Sequence, residues 1–147
     1  MSRNLTIAVL IFGCYGVLAC KSYTSGLQQS TTRVDETAAI AALHSVSTAQ
    51  RTYSISNSGN YGTFGQLAEA GYLDQRFNAE QPNVKGYVLT MTVSNRDGSG
   101  GGSFSVKAEP ETTGPQAGGR HLYLDSAGLI HTNATQPAGA GDPTLDQ

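Results

Sequence analysis

One stripe of apolar residues constrains this chain more than any other feature. Ala39, Ala42, Leu43, Val46, Ala49 and Tyr53 recur at spacings of three and four, which is the period of a single helix face. Thr32-Arg33-Val34-Asp35 precedes them as a start signal of capping-box type. The spacing therefore predicts a helix from that signal to about Tyr53, ended by the turn residues Ser56-Asn57-Ser58-Gly59-Asn60. A stripe so rich in alanine requires whatever packs on it to come close. Thr63 is placed to cap a short second helix that uses Phe64, Leu67 and Ala68 and stops at Gly71. Tyr72, Leu73 and Phe77 follow as a small apolar knot.

The period then changes. Tyr87, Leu89, Met91 and Val93 alternate with Val88, Thr90 and Thr92, and Phe104 and Val106 alternate in a returning run from Ser103 to Lys107. Both are strand patterns. Asn95 to Gly102 reads as a flexible hairpin loop, and Glu109 to Gly119, with two Pro and three Gly, as an irregular connection. His121–Leu124 and Leu129–Thr132 flank Asp125-Ser126-Ala127-Gly128. With Gly128 in the left-handed position of a three-residue loop, residue 124 faces residue 130. In that register Leu122, Leu124 and Ile130 share one face, and His121, Tyr123 and His131 share the solvent face. The layout is α+β: a long N-terminal helix packed on a four-stranded antiparallel sheet. The Gly/Pro-rich tail from Thr135 is expected to lie over the surface or fray.

Ahead of the helix, Met1-Ser2-Arg3-Asn4 carries one positive charge, and Leu5 to Ala19 is almost uncharged and apolar. That run is short of the roughly 20 residues a membrane-spanning helix needs. A positive segment followed by a short apolar one is the pattern of a secretory signal. It ends Val17-Leu18-Ala19-Cys20, which resembles the lipobox of bacterial lipoproteins. The resemblance implies cleavage between Ala19 and Cys20, lipidation of Cys20, and attachment to a membrane through the acyl chains. Lys21 after the cysteine resembles the routing pattern for the outer membrane of a Gram-negative envelope. Residues 21–31 read as a polar tether. Of the two cysteines, Cys14 lies in the segment to be removed, so no disulfide forms within one mature chain. The expected organisation is a signal peptide at 1–19, a lipidated N-terminus and tether at 20–31, a globular domain at 32–134 and a tail at 135–147.

A second resemblance covers residues 36 to about 132. It rests on Thr48-Ala49-Gln50-Arg51-Thr52-Tyr53 at the end of the helix, Asn60-Tyr61-Gly62 with Leu67 to Asp74 (LAEAGYLD), Lys85-Gly86-Tyr87, and Tyr123 to Ile130 (YLDSAGLI). These stretches resemble the globular part of type IV pilins and type II secretion pseudopilins. The prepilin cleavage site with its following Glu is not present: neither Gly13 nor Gly16 has Glu five residues on. The combined reading is a pilin-like domain moved onto a lipid anchor. It implies a non-enzymatic envelope lipoprotein that acts by binding, with pilus or secretion-system proteins as partners. The alternatives are a divergent pilin or minor pilin that keeps its apolar segment, and a small periplasmic enzyme or metal binder.

Little chemistry competes with that reading. A net charge of −2 with 14% charged residues and no basic cluster argues against a nucleic-acid partner. His121 and His131 are the candidate metal ligands, but two imidazoles without a third ligand at fixed spacing fit hairpin histidines better. His44 on the helix reads as a boundary residue. Asp35-Glu36 suits a helix N-terminus, and Glu109/Glu111 flank Pro110 in the irregular connection. Asp97 to Ser103 is Gly-rich but opens into a strand rather than a helix, which fails the context of a phosphate loop. No catalytic set and no cofactor are implied.

Overall fold

A computed structural model of the chain describes residues 18–96, 101–113 and 119–145, with side chains from residue 32 onward. Helix α1 (Leu18–Ser56) leads into a short helix α2 (Phe64–Glu69) and a 3-10 turn at Gln75–Phe77. Five strands follow: β1 (Asn83–Val84), β2 (Tyr87–Ser94), β3 (Ser103–Pro110), β4 (His121–Leu124) and β5 (Ile130–Asn133). They form one antiparallel meander in the order β1-β2-β3-β4-β5. The α+β layout is as expected, but the sheet has five strands rather than four.

The additional strand comes from the turn at Lys85-Gly86. Both residues have positive φ, 52° and 78°, and the pairing of Val84 with Tyr87 closes a two-residue hairpin loop around them. Asn83 supports the turn by accepting from the Gly86 N–H at 2.9 Å. Lysine is an unusual residue for a left-handed position, so the usual Asn-Gly signal is missing from the sequence.

Helix α1 also begins earlier than its apparent start signal, since Thr32–Asp35 lies within it. Hydroxyl residues do not break this helix because they bond back to the carbonyl one turn earlier. Thr37 donates to Arg33, Ser45 to Ala41, Thr48 to His44 and Thr52 to Thr48, all within 2.9–3.0 Å. Once the core-packed turns are nucleated, each further residue adds a hydrogen bond at small entropic cost.

The predicted stripe is the buried face of α1: Ala39, Ala42, Leu43, Val46 and Ala49 are buried, and Tyr53 packs at the margin. Opposite lie Tyr87 and Leu89 of β2, Phe104, Val106 and Ala108 of β3, Leu122 and Leu124 of β4, and Ile130 of β5. Alternation of burial holds along β2, β3 and β4, and Leu124 pairs with Ile130 as the hairpin register requires. Gly128 takes φ 88°, and Asp125 closes the loop through Leu129 and Gly128.

Helix α2 carries both expected signals. Thr63 and Gln66 form a reciprocal capping box. At the other end Gly71 has φ 76°; the Tyr72 N–H donates to Leu67 and the Gly71 N–H to Ala68, a Schellman motif. Phe64 stacks on Phe77 with centroids 6.2 Å apart, so the apolar knot joins this helix to the following turn.

One polar residue sits inside the stripe. Gln50, fully buried, donates to the Gly62 carbonyl at 2.6 Å and accepts from the Gly62 N–H at 3.0 Å. Its Nε2 also lies 3.3 Å from the Met91 sulfur. The approach at Gly62 is close: a Cβ there would lie 3.2 Å from the Tyr53 ring, which would have to shift by a few tenths of an ångström. Replacing Gln50 with Ala strands two buried backbone groups, and urea unfolding is expected to lose roughly 2–4 kcal/mol.

Tyr87 has the opposite problem. It is fully buried, and its hydroxyl has no hydrogen-bond partner among the described residues. Burial, with the Glu36 carboxylate adding to it, pushes the phenol up to about 12. An unsatisfied buried hydroxyl costs on the order of 1 kcal/mol or more. Tyr87→Phe is therefore expected to raise the urea midpoint at unchanged m-value; a fall would mean that the hydroxyl has a partner.

Candidate functional site

The outward face of β3–β5 brings the polar candidates together. Strand alternation that buries Val106, Ala108, Leu122, Leu124 and Ile130 sends Lys107, Glu109, His121, Tyr123 and His131 to the other side. Tyr123 pairs with Lys107 on one flank and His131 on the other, and the Tyr123 and His131 rings sit 6.0 Å apart. His121 stands opposite Asn133.

His131 is not on a solvent face, contrary to the sequence reading. It is 6% exposed, because the C-terminal tail folds back along β5. Thr144 bridges to His131; Thr132 donates to the Pro143 carbonyl at 2.9 Å, and Leu145 to Ile130 at 2.7 Å. Ala138 of the tail is buried as well. The strap is held by Asp142, which accepts from Asn133 Nδ2 and from the Gly139 N–H, both at 2.8 Å. Asn133 in turn accepts from the Thr135 and Gln136 N–H groups. Of the two expectations for the tail, lying over the surface is what residues 135–145 do; residues 146 and 147 lie outside the described residues.

Both imidazole nitrogens of His131 are engaged. Nδ1 is 2.8 Å from the Asp142 carbonyl oxygen and Nε2 is 3.2 Å from Asp125 Oδ2. Two facing acceptors are best met by two donors, so this arrangement favours the protonated ring. The Asp142 carbonyl, and then the Asp125 carboxylate, raise its pKa, with burial opposing them. Both ring nitrogens are thus committed to acceptor oxygens that orient the imidazole.

The other titratable candidates are separated. His121 Nδ1 contacts Glu109 Oε2, while Glu109 Oε1 is buried with no partner among the described residues. Glu111 instead accepts from Asn83 Nδ2 at 2.7 Å, so the two carboxylates do not form a pair. Glu36 accepts from Arg120 Nε at 2.9 Å, tying α1 to the start of β4 and raising the arginine pKa. His44 is exposed on α1. Among the described residues no group of three His, Cys, Asp or Glu is placed to hold a metal ion. Beside Tyr123 lies a shallow cleft of about 280 Å³, walled by hydroxyls of Thr92, Ser94, Ser103, Ser105 and Ser126. Phe104, Tyr123 and Asp125 also line it, so it offers hydrogen bonds, two aromatic residues and a carboxylate.

Cys20 and Ala19 fall in the first turns of α1, where side chains lie outside the described residues. So do the apolar run as far as residue 17, loop residues 97–100 and residues 114–118. No described helix is long and apolar enough to cross a membrane. Sequence reasoning passed over Gln50, Asn133 and Asp142. Gln50 carried a signal, since it occupies the stripe position one turn after Val46. No family model, curated protein or solved structure matches the chain.

The strap has a defined pH window. The pKa of Asp142 is lowered, first by Asn133 and then by the Gly139 N–H, so its contribution is present above the ordinary carboxylate value and lost as pH falls through the depressed one. The pKa of His131 is raised, so its contribution is full below the ordinary imidazole value and lost as pH rises through the elevated one. The strap is tightest at roughly pH 4 to 6.5. Hydrogen exchange of the Leu145 and Thr132 amides, corrected for intrinsic rates, is expected to show maximal protection there. In His131→Ala the loss of protection on the alkaline side disappears.

Proposed function

We propose that this chain is a non-enzymatic, membrane-anchored lipoprotein of a bacterial envelope whose pilin-like domain acts by binding. The carrying observation is the position of Cys20, directly after the apolar run and at the head of the helix that forms one layer of the core. From Cys20 to Ala39, the first buried residue of the stripe, a continuous helix covers roughly 28 Å at 1.5 Å per residue. Acyl chains on Cys20 would therefore hold the sheet at a set distance from the bilayer, on a helical stalk in place of a loose tether. The α+β layout of one long helix on an antiparallel meander supports the likeness to pilins and pseudopilins. The likeness rests on sequence stretches and layout, so the partners it suggests, pilus or secretion-assembly proteins, are fold analogy.

The same helix favours a second reading. Because α1 already runs at Leu18 without a break, a chain that kept Leu5–Ala19 would place an apolar segment next to a long helix, as a filament subunit needs. Intact mass of the membrane-fraction protein separates the two. The lipoprotein reading expects a chain beginning at Cys20 with added diacylglycerol, and an unprocessed, unlipidated product from Cys20→Ser. A chain that retains Leu5–Ala19 in both forms overturns it in favour of the filament subunit.

A further inference from the structure

The two outer edges of the sheet are treated differently. The β5 edge is closed by the C-terminal strap through Thr132, Thr144 and Leu145. The β2 edge is covered by β1 only at Tyr87 and Val88, with one more bond from the Leu89 N–H to the Pro82 carbonyl at 2.9 Å. Beyond that point β2 continues to Ser94, paired on its other side with β3 along its whole length.

Backbone direction alternates along a strand. Since Tyr87 and Leu89 point their amides toward β1, Met91 and Val93 point theirs the same way, past its end. No backbone partner for these four N–H and C=O groups occurs among the described residues. Protein edges are ordinarily blunted by Lys, Pro, a bulge or a covering segment. Thr90-Met91-Thr92-Val93-Ser94 has no charge and no proline, and it pairs with β3 residue for residue without a bulge.

The open edge faces a groove of about 490 Å³. Met91 and Val93 line it on the sheet side, Phe64 and Gly65 on the α2 side, and Ala79 and Glu80 along its border. A strand laid beside β2 would bond to the free amides and direct every second side chain into this groove.

We propose that this edge is a docking site for an extended segment of a partner protein, added antiparallel to β2. Alternate apolar residues of that segment enter the groove, and a basic residue meets Glu80. The ladder it joins is the one β1 begins, so it extends an existing register. Pairing of two β2 edges from two copies suits the site less well, because Met91 and Val93 already belong to the groove wall and neither copy would supply a side chain to fill it. The proposal stands apart from the lipid anchor and holds for either state of Cys20.

The probe is a capped heptapeptide, Lys-Val-Thr-Val-Thr-Val-Lys, titrated into the full chain at neutral pH and compared with its twin methylated on the three valine nitrogens. The expected result is saturable binding of the first, at least about tenfold weaker binding of the twin, and slowed hydrogen exchange at the Met91 and Val93 amides. Val93→Pro, at an edge position where the lost N–H faces outward, is expected to weaken binding comparably, and Glu80→Lys to weaken it less. The twin tests the idea on unaltered protein, so misfolding of a variant leaves it falsifiable. Equal binding of the two peptides, no binding at millimolar peptide, or slowed exchange elsewhere overturns the proposal. So does a concentration-dependent dimer that Val93→Pro abolishes while the peptide fails to bind, which would assign the edge to a second copy.

Discussion

The bond pair between the Gln50 side chain and the Gly62 backbone is the constraint on which the rest of the arrangement depends. A buried amide on the core stripe of α1 bears a large desolvation cost unless both its ends are matched. Here one peptide unit matches both. The chain leaving α1 must therefore come back to touch the helix one turn before Tyr53, and it does so where a Cβ would sit 3.2 Å from that ring. This fixes the start of α2 at Thr63, one residue later, and with it the position of Phe64 over the end of β2. The Met91 sulfur beside the same amide links the clamp to the sheet. Two stretches that the pilin resemblance drew on, Thr48–Tyr53 and Asn60–Gly62, thus meet in one contact.

Polar contacts at the periphery close the remaining seams in the same way. Arg120 and Glu36 join α1 to β4 across the end of the sheet. Asn83 and Glu111 join β1 to the chain leaving β3. Asp142, Asn133 and His131 fasten the strap to β5. Each tie sits where an element ends and ladder bonds run out, so each supplies partners the backbone cannot. Exposed pairs of this kind contribute little individually to global stability. Their effect is local, in deciding which edges are covered.

Much of this fold was legible because its large elements obey simple periods. The helical stripe, the cap at Thr63, the stop at Gly71 and the 124–130 register follow from spacing and turn chemistry alone. What escaped depends on partners distant in sequence or on residues in unusual roles. The β1–β2 turn places a lysine at positive φ, so it carries no Asn-Gly signature. Thr32–Asp35 has the composition of a helix start yet lies inside α1, so the apparent start signal misplaced the helix. Sharing of one sheet face by His121, Tyr123 and His131 was readable from alternation, but the burial of His131 was not. Its cover comes from residues 142–145, Asp-Pro-Thr-Leu, too short a stretch to show a period, and the side-chain fastening is Asp142 beside backbone bonds to β5.

That difference bears on what the domain can do. Glu109 meets His121, Asp125 meets His131, Glu36 meets Arg120, and Asp142 meets Asn133. A carboxylate or imidazole held by such a partner has its proton affinity and orientation set by the fold, and engaging a substrate would require breaking the contact that positions it. The backbone of Met91 and Val93 is under no such obligation. Its unpaired amides border an apolar groove held in place through the Gln50 clamp, so the recognition they offer depends on strand direction and spacing more than on charge. Binding of that kind tolerates varied side chains in a partner while demanding an extended backbone.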